Sequence, residues 1–591
     1  MQEIENIIQN HQYLIDNTNK KRNIISFLRI FSFIASAVSL YKFLSTSLNV
    51  YFILFLISCI VFLLLIFISK KFQEVILYYQ NIVQVCLGIK KEFCDQQPNM
   101  EHVDHHPYNK DLDIYGEKSL FSKINRTETF LGKQRLSYYL SHHLIECDQI
   151  NERQMAIKEL SSKMDWCIYF LAKAKLLDLD NFNKDVFEQT NNSFLKISAF
   201  TRVILYLISI VNLSLLTACI FTKFSPIILG ITVLFISVSS LIVKLKYGKL
   251  IKNTYSNIHL RAAQYHEFKD LFSFIEKEVF QAKINHSYQE KLRKPSASIS
   301  LKKIAQLIQN LENGHAPLLG VILNTIFLWN LHHSIKIDKL LSDLKSHIPD
   351  WFDTFSEFEA LICFGIFAYK NKNYNYPICS ENSPLLEIEK ISHPLISSEN
   401  SISNNFTIGN SNNIAIITGA NMTGKSTFLR TIGVNLILAM NGCPLPAKKF
   451  IFRPMKVFTS MSSSDSLSDG TSYFNAEIKR LKHLLEYLEN NIPLYIILDE
   501  ILKGTNSKDK LEGSQLFLEK IISLNTAFSC IIATHDLELT NMVEDYPHHI
   551  INRCFELNEV QGKLEPDFKL KHGVTKTMNA IRLMKEYKII D

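Results

Sequence analysis

A chain of 591 residues exceeds one ordinary domain and predicts roughly three or four folding units. Its 47% hydrophobic and 20% charged content is that of an ordinary globular protein, so any membrane signal has to come from local runs. The net charge of +7 lies largely beside apolar runs and does not separate nucleic acid from anionic lipid as a partner; the eleven cysteines, without CxxC pairs or metal spacing, predict reduced thiols with no disulfide and no zinc.

Residues 1–23 are polar and predict a cytosolic N-terminal segment rather than a cleavable signal. Residues 24–69 predict a first transmembrane hairpin. Its second run, "FLSTSLNVYFILFLISCIVFLLLIFIS" at 43–69, carries no charge and exceeds the roughly 20 apolar residues that cross a bilayer. The first, 24–41, holds one charge near its start, Arg29, which can snorkel to the headgroups. Residues 72–199 are rich in helix formers with periodic apolar positions and predict a cytosolic helical segment. Residues 203–243 predict a second hairpin, split by Lys223 and the turn-prone "KFSP". The alternative is a pair of buried core helices, which rarely stay uncharged on every face for so long.

Lys20, Lys21 and Arg22 precede the first hairpin, Lys70 and Lys71 follow it, and Lys244, Lys246, Lys249 and Lys252 follow the second. The positive-inside rule then puts both termini in the cytoplasm, with four spans in all. Residues 245–370 again read as helical, with "RKPSASIS" as the clearest internal break. The apolar run 316–331 is expected to be a buried helix, because a fifth span would carry the C-terminal half to the other side of the membrane.

From residue 371 to 591 short apolar runs alternate with helical stretches, the pattern of a parallel sheet flanked by helices. The expected fold class is therefore an α/β P-loop ATPase domain preceded by all-α segments and two membrane hairpins. "NIAIITG" enters the loop Gly419, Ala420, Asn421, Met422, Thr423, Gly424, Lys425, Ser426, Thr427, which fits G-x-x-x-x-G-K-[ST] between a strand and a helix. Its glycines let backbone N–H groups curl around phosphates, Lys425 is expected on the β and γ phosphates of ATP, and the Ser426 hydroxyl on Mg²⁺.

The apolar strand "LYIIL" delivers Asp499 and Glu500. Asp499 suits Mg²⁺, and Glu500 suits polarising the attacking water. His535, after "CIIAT", is expected to face the γ-phosphate. No L-S-G-G-Q-like segment of transporter ATPases precedes the acidic strand; in its place "DSLSDGTSYFNAEIKRL" puts Ser472 at the start of a helix, where it can cap or donate to a phosphate, and Glu477 on its second turn.

"TGANMTGKSTFLRTIG", "DSLSDGTSYFNAE", "LDEILKGTNSKDKLEG" and "ATHDLELT" together resemble the MutS family of DNA mismatch-repair ATPases. "KINRTETFLGKQRLSYYLSHHLIECDQINERQMAIKEL" resembles the start of that family's helical core, which casts 72–199 as core-like and 245–370 as lever-like. The resemblance implies a homodimer with composite ATP sites, in which Ser472 of one copy reaches the nucleotide held by Lys425 of the other. It implies phosphate contact for Asn421, and a dimer interface near Thr505, Asn506 and Asp509. DNA is the implied partner. Among the departures from the family, Ala420 stands in place of a Pro, "SISNNFTI" lacks an aromatic at the position that usually stacks on adenine, and no Phe-x-Glu mismatch wedge is recognisable where the hairpins lie. A membrane transporter or a non-DNA membrane scaffold driven by the same engine stays open.

Overall fold

The computed structural model describes residues 2–95, 106–177, 198–259, 262–317, 319–382, 385–397, 399–409, 412–461, 473–503, 506–560 and 563–576. Two very long helices begin it, α1 (Gln2–Thr46) and α2 (Asn49–Lys90). They run antiparallel, since Lys90 at the end of α2 sits 3.2 Å from Glu5 at the start of α1. The chain reverses at Ser47, φ 53°, later than the break at residue 42, and the polar N-terminal segment is simply the first half of α1. Near their shared base Ile4, Ile82, Val85 and Ile89 are buried in the main core; farther out Phe27, Phe31, Leu44 and Leu63 face outward.

The helical middle then contains α3 (Leu120–Ile124), α4 (Phe130–Ser141), α5 (Cys147–Ser162) and α6 (Met164–Ala174). A second long pair follows, α7 (Ala199–Phe221) and α8 (Pro226–His259). Their reversal uses left-handed Lys223 and Phe224, and Pro226 opens α8 where its missing N–H costs nothing. Among the described residues, four helices are long and apolar enough to cross a membrane: Gln2–Thr46, Asn49–Lys90, Phe200–Phe221 and Pro226–Lys249. No more than 22% of any of their apolar windows is buried, so the other described residues leave most of these faces uncovered.

Helices α9 (Ala262–Lys277), α10 (Lys283–Arg293), α11 (Ala297–Asn313), α12 (Leu319–Phe327), α13 (Trp329–Leu344) and α14 (His347–Lys370) complete the middle. The stretches before and after the second hairpin share one core rather than forming separate units. Trp166 of α6 stacks on Phe274 of α9 with ring centroids 5.4 Å apart, and Phe268 of α9 meets Phe355 of α14 edge-on. The second half of α14, residues 360–369, is apolar all round and is correspondingly buried all round.

Two expectations need correction. The run 316–331 is not one buried helix: it breaks at Leu328, φ 49°, between α12 and α13, and Leu319, Val321 and Ile322 are exposed. The reason is its neighbour. Its last carbonyls lie against α7, where Asn212 donates to Ile326 O at 3.0 Å and Ser209 to Phe327 O at 3.2 Å. Cysteines also pair, contrary to the reading of reduced thiols: Cys147 at the start of α5 is bonded to Cys379 across 232 residues of sequence, with Cα atoms 5.5 Å apart. Spacing along the chain carries no trace of a contact that only tertiary packing makes.

The C-terminal domain holds two sheets where the sequence pattern suggested one. A four-stranded mixed sheet, β1-β5-β2-β3, comprises β1 (Ile378–Cys379), β2 (Leu386–Ile391), β3 (Asn404–Ile408) and β5 (Lys449–Phe452). The six-stranded sheet, β10-β9-β4-β8-β7-β6, comprises β4 (Ile414–Gly419), β6 (Lys456–Ser460), β7 (Leu494–Asp499), β8 (Phe528–Ala533), β9 (Ile550–Val560) and β10 (Lys563–His572). It is parallel from β6 to β9, with β10 antiparallel at the edge. Its strands read as unbroken apolar runs because both faces are buried: Ile414 and Ile416 enter one core, Ala415 and Ile417 the other, and β7 divides Leu494, Ile496 and Leu498 from Tyr495 and Ile497 in the same way. Helices α15 (Lys425–Met440), α16 (Tyr473–Glu489), α17 (Ser507–Ser523) and the short α18 (Met542–Asp545) accompany it.

A loop of the helical body clamps this sheet. Buried Asp111 accepts from Thr459 Oγ1 at 2.7 Å and Met461 N at 3.1 Å and pairs with Arg480 of α16 at 3.2 Å; Asp113 pairs with Arg430 of α15 at 2.7 Å.

Candidate functional site: a phosphate loop and a Glu–His pair

Register across three strands brings the site together. Ile417 of β4 lies opposite Ala533 of β8, which lies opposite Asp499 of β7. Two residues past that line come Gly419 and His535, and one past it Glu500, so the functional groups gather at the carboxyl ends of parallel strands.

The loop is built around two glycines. Gly419 has φ 157°, and a Cβ there would lie 2.8 Å from Phe555 O; Gly424 has φ 102°, and its Cβ would lie 3.1 Å from the Phe568 ring. Ala420, Asn421 and Met422 bulge outward, with Met422 left-handed at φ 64° and 90% exposed. Thr423 Oγ1 closes the loop on Ala420 O at 2.8 Å. Lys425 turns back inside it, donating to Gly419 O at 2.7 Å and Ala420 O at 3.0 Å. Burial lowers its pKa, opposed by the charges of Glu500 and Asp499. Ser426 and Thr427 stand exposed on the first turn of α15.

Glu500 sits at φ 55°, its own N–H held by Ala533 O at 3.0 Å. His535 Nε2 approaches Glu500 Oε1 at 2.8 Å and Lys425 Nζ at 3.2 Å. One ring nitrogen cannot donate to the carboxylate and accept from the ammonium at once; the shorter contact and the acceptor-only carboxylate assign the proton to Nε2, so the lysine contact is proximity. This hydrogen bond holds the Glu500 carboxyl down to about 2 against the opposing effect of burial. Glu477 serves a structural end that its spacing did not reveal: its carboxylate accepts from the backbone N–H of Leu502 at 2.8 Å and Lys503 at 3.1 Å, fixing the turn behind Glu500. Ser472 and Thr505 lie outside the described residues. Asn506 caps α17, accepting from Asp509 N at 2.9 Å.

Beside the loop opens a cavity of about 260 Å³ lined by Ile391, His393, Ile402, Phe428, Phe555 and Phe568, among others. Burial keeps His393 neutral, with its pKa pushed down to about 4. Its aromatic walls are Phe428, Phe555 and Phe568. Phe568 comes from β10, far along the chain, and no motif marks it.

The residues suit a magnesium nucleotide. Two glycines leave room where side chains would block a phosphate, and an exposed hydroxyl and a half-buried carboxylate, Ser426 and Asp499, are the one or two protein oxygens that Mg²⁺ accepts beside phosphate and water.

Residues 415–589 match the family model of MutS domain V. This part of the chain is a MutS domain V by that match. It is 33% identical to MutS protein homolog 4 of Homo sapiens over 254 residues, 41% of this chain and 26% of that protein. It is 25% identical to the DNA mismatch repair protein MutS of Thermotoga maritima over 506 residues, 79% of this chain and 61% of that protein, so the MutS similarity reaches into the helical body. The MutS of Bacillus subtilis is 31% identical over 226 residues, 37% of this chain and 25% of that protein. The chain thus spans about a quarter to three fifths of these relatives' length.

Proposed function

We propose that this protein is a membrane-anchored MutS-like ATPase that binds and hydrolyses ATP with Mg²⁺ as a homodimer and acts on DNA. The observation that carries the ATPase reading is the chain of contacts from Lys425 through His535 to Glu500 at the mouth of the phosphate loop. Lys425 exchanges the loop carbonyls for the β and γ phosphates. Glu500, kept ionised by His535, orients and polarises the attacking water, and His535 is then placed to read the γ-phosphate. Ser426 and Asp499 would hold Mg²⁺, which would offset phosphate charge when bound. Adenine takes the apolar cavity against Phe568, and Ser472 of the second copy completes the site.

Supporting the anchor are the four apolar helices, whose faces the other described residues leave mostly uncovered, and the basic residues at their ends. Supporting DNA are the family and the mismatch-repair names of relatives. Lys425→Ala is expected to abolish ATP binding, whereas Glu500→Gln keeps binding and stops turnover; unchanged hydrolysis in the Glu500 variant would identify the wrong base. Fluorescence anisotropy of the solubilised dimer with homoduplex, mismatched and branched DNA across a salt series tests the partner. Absence of binding in every nucleotide state removes the DNA half.

A further inference from the structure

A groove of about 280 Å³ lies between α8 and the break that joins α12 to α13. From α8 it takes one helical face, Ser240, Val243, Lys244, Gly248, Ile251 and Lys252, spaced so as to line about 18 Å of the helix. Opposite stand His315, Asn324, Leu328 and Leu331. Gly248 leaves its middle clear, since a Cβ there would meet nothing nearer than Lys244 Cγ at 3.9 Å.

Its chemistry is divided. The floor is apolar, with Val243, Leu328 and Leu331 buried in one cluster with Leu205 of α7. The rim is cationic: Lys244 and Lys252 are exposed, and residues 240–252 contain four lysines and no acid. Position matters as much as composition. The uncharged run of α8 ends at Val243, inside the groove, and Lys244 follows it, so the groove straddles the level at which a span passes from acyl chains to headgroups. An occupant must therefore offer negative charge at the lysines and hydrocarbon below them, which a free anion or a nucleotide does not.

We propose that this groove binds one anionic phospholipid of the cytoplasmic leaflet, its phosphate between Lys244 and Lys252 and the upper acyl chain over Val243, Leu328 and Leu331. The proposal rests on the membrane reading above. It gives the α12–α13 break a purpose: one wall of the lipid site is the element through which α13 returns to the helical body.

The test uses the full chain reconstituted in phosphatidylcholine vesicles containing a minor share of phosphatidylglycerol, with retained lipid identified by native mass spectrometry after mild extraction. Wild type is expected to retain phosphatidylglycerol selectively. Lys244→Gln/Lys252→Gln should lower that retention roughly tenfold, and Gly248→Leu, which fills the groove without changing charge, should lower it too. Lys246→Gln/Lys249→Gln removes the same charge off the groove and should leave it intact. Equal loss in both lysine pairs, no loss in the first pair, or displacement of the lipid by inorganic phosphate overturns the site. Flotation with neutral vesicles separates the two readings: a chain that floats without lipid preference loses only this proposal, whereas one that does not float loses the anchor as well.

Discussion

His535 Nε2 stands 2.8 Å from Glu500 Oε1, and the hydrogen bond sets the charge of the acid just past the carboxyl end of β7. With the folded pKa near 2 and the ordinary value at 4.5, the pair's contribution to stability is full above about pH 4.5 and is lost as the pH falls through 2. His535→Ala removes the donor and leaves burial to raise the carboxyl. The acid limb of kcat against pH should then move to higher pH, with kcat lowered roughly tenfold near neutrality. A limb that superimposes on the wild-type curve would mean that His535 does not tune Glu500.

Glu477 holds Leu502 and Lys503 by their backbone N–H groups. Glu477→Ala leaves a buried N–H without a partner, at a cost of about 1–3 kcal/mol. The expected result is a lower Tm and a reduced kcat with ATP affinity unchanged, read by calorimetry and by equilibrium nucleotide binding. Weakened binding with normal turnover would contradict a role behind Glu500.

Phe568 closes the cavity over Gly424. An aromatic stack is worth about 1 kcal/mol beyond its buried area, so Phe568→Ala should raise the Kd for ATP about five- to tenfold. Inorganic triphosphate, which has no base, should bind both forms alike; an equal loss for triphosphate would locate Phe568 at the phosphates instead.

Cys147 and Cys379 tie α5 to β1. In denaturant without reductant nine thiols should alkylate, and eleven after reduction. Reduction should cost about 2–4 kcal/mol of stability, and Cys147→Ser/Cys379→Ser should make the Tm insensitive to reductant. Eleven reactive thiols at the outset would mean that the pair stays reduced in the purified protein.

Local chemistry wrote the engine into the sequence. Gly419, Gly424 and Lys425 form one contiguous motif, and Asp499, Glu500 and His535 lie at or within two residues of the carboxyl ends of apolar strands, where a parallel sheet gathers such groups; the four apolar runs were legible because their lack of charge is itself local. Tertiary structure decided what depends on residues far apart in the chain. Phe568 reaches Gly424 from β10, Asp111 grips Arg480 across some 370 positions, Cys147 meets Cys379, and Asn212 draws the end of α12 against α7. Each is a contact between elements, and periodicity along one element carries no information about which other element will cover it.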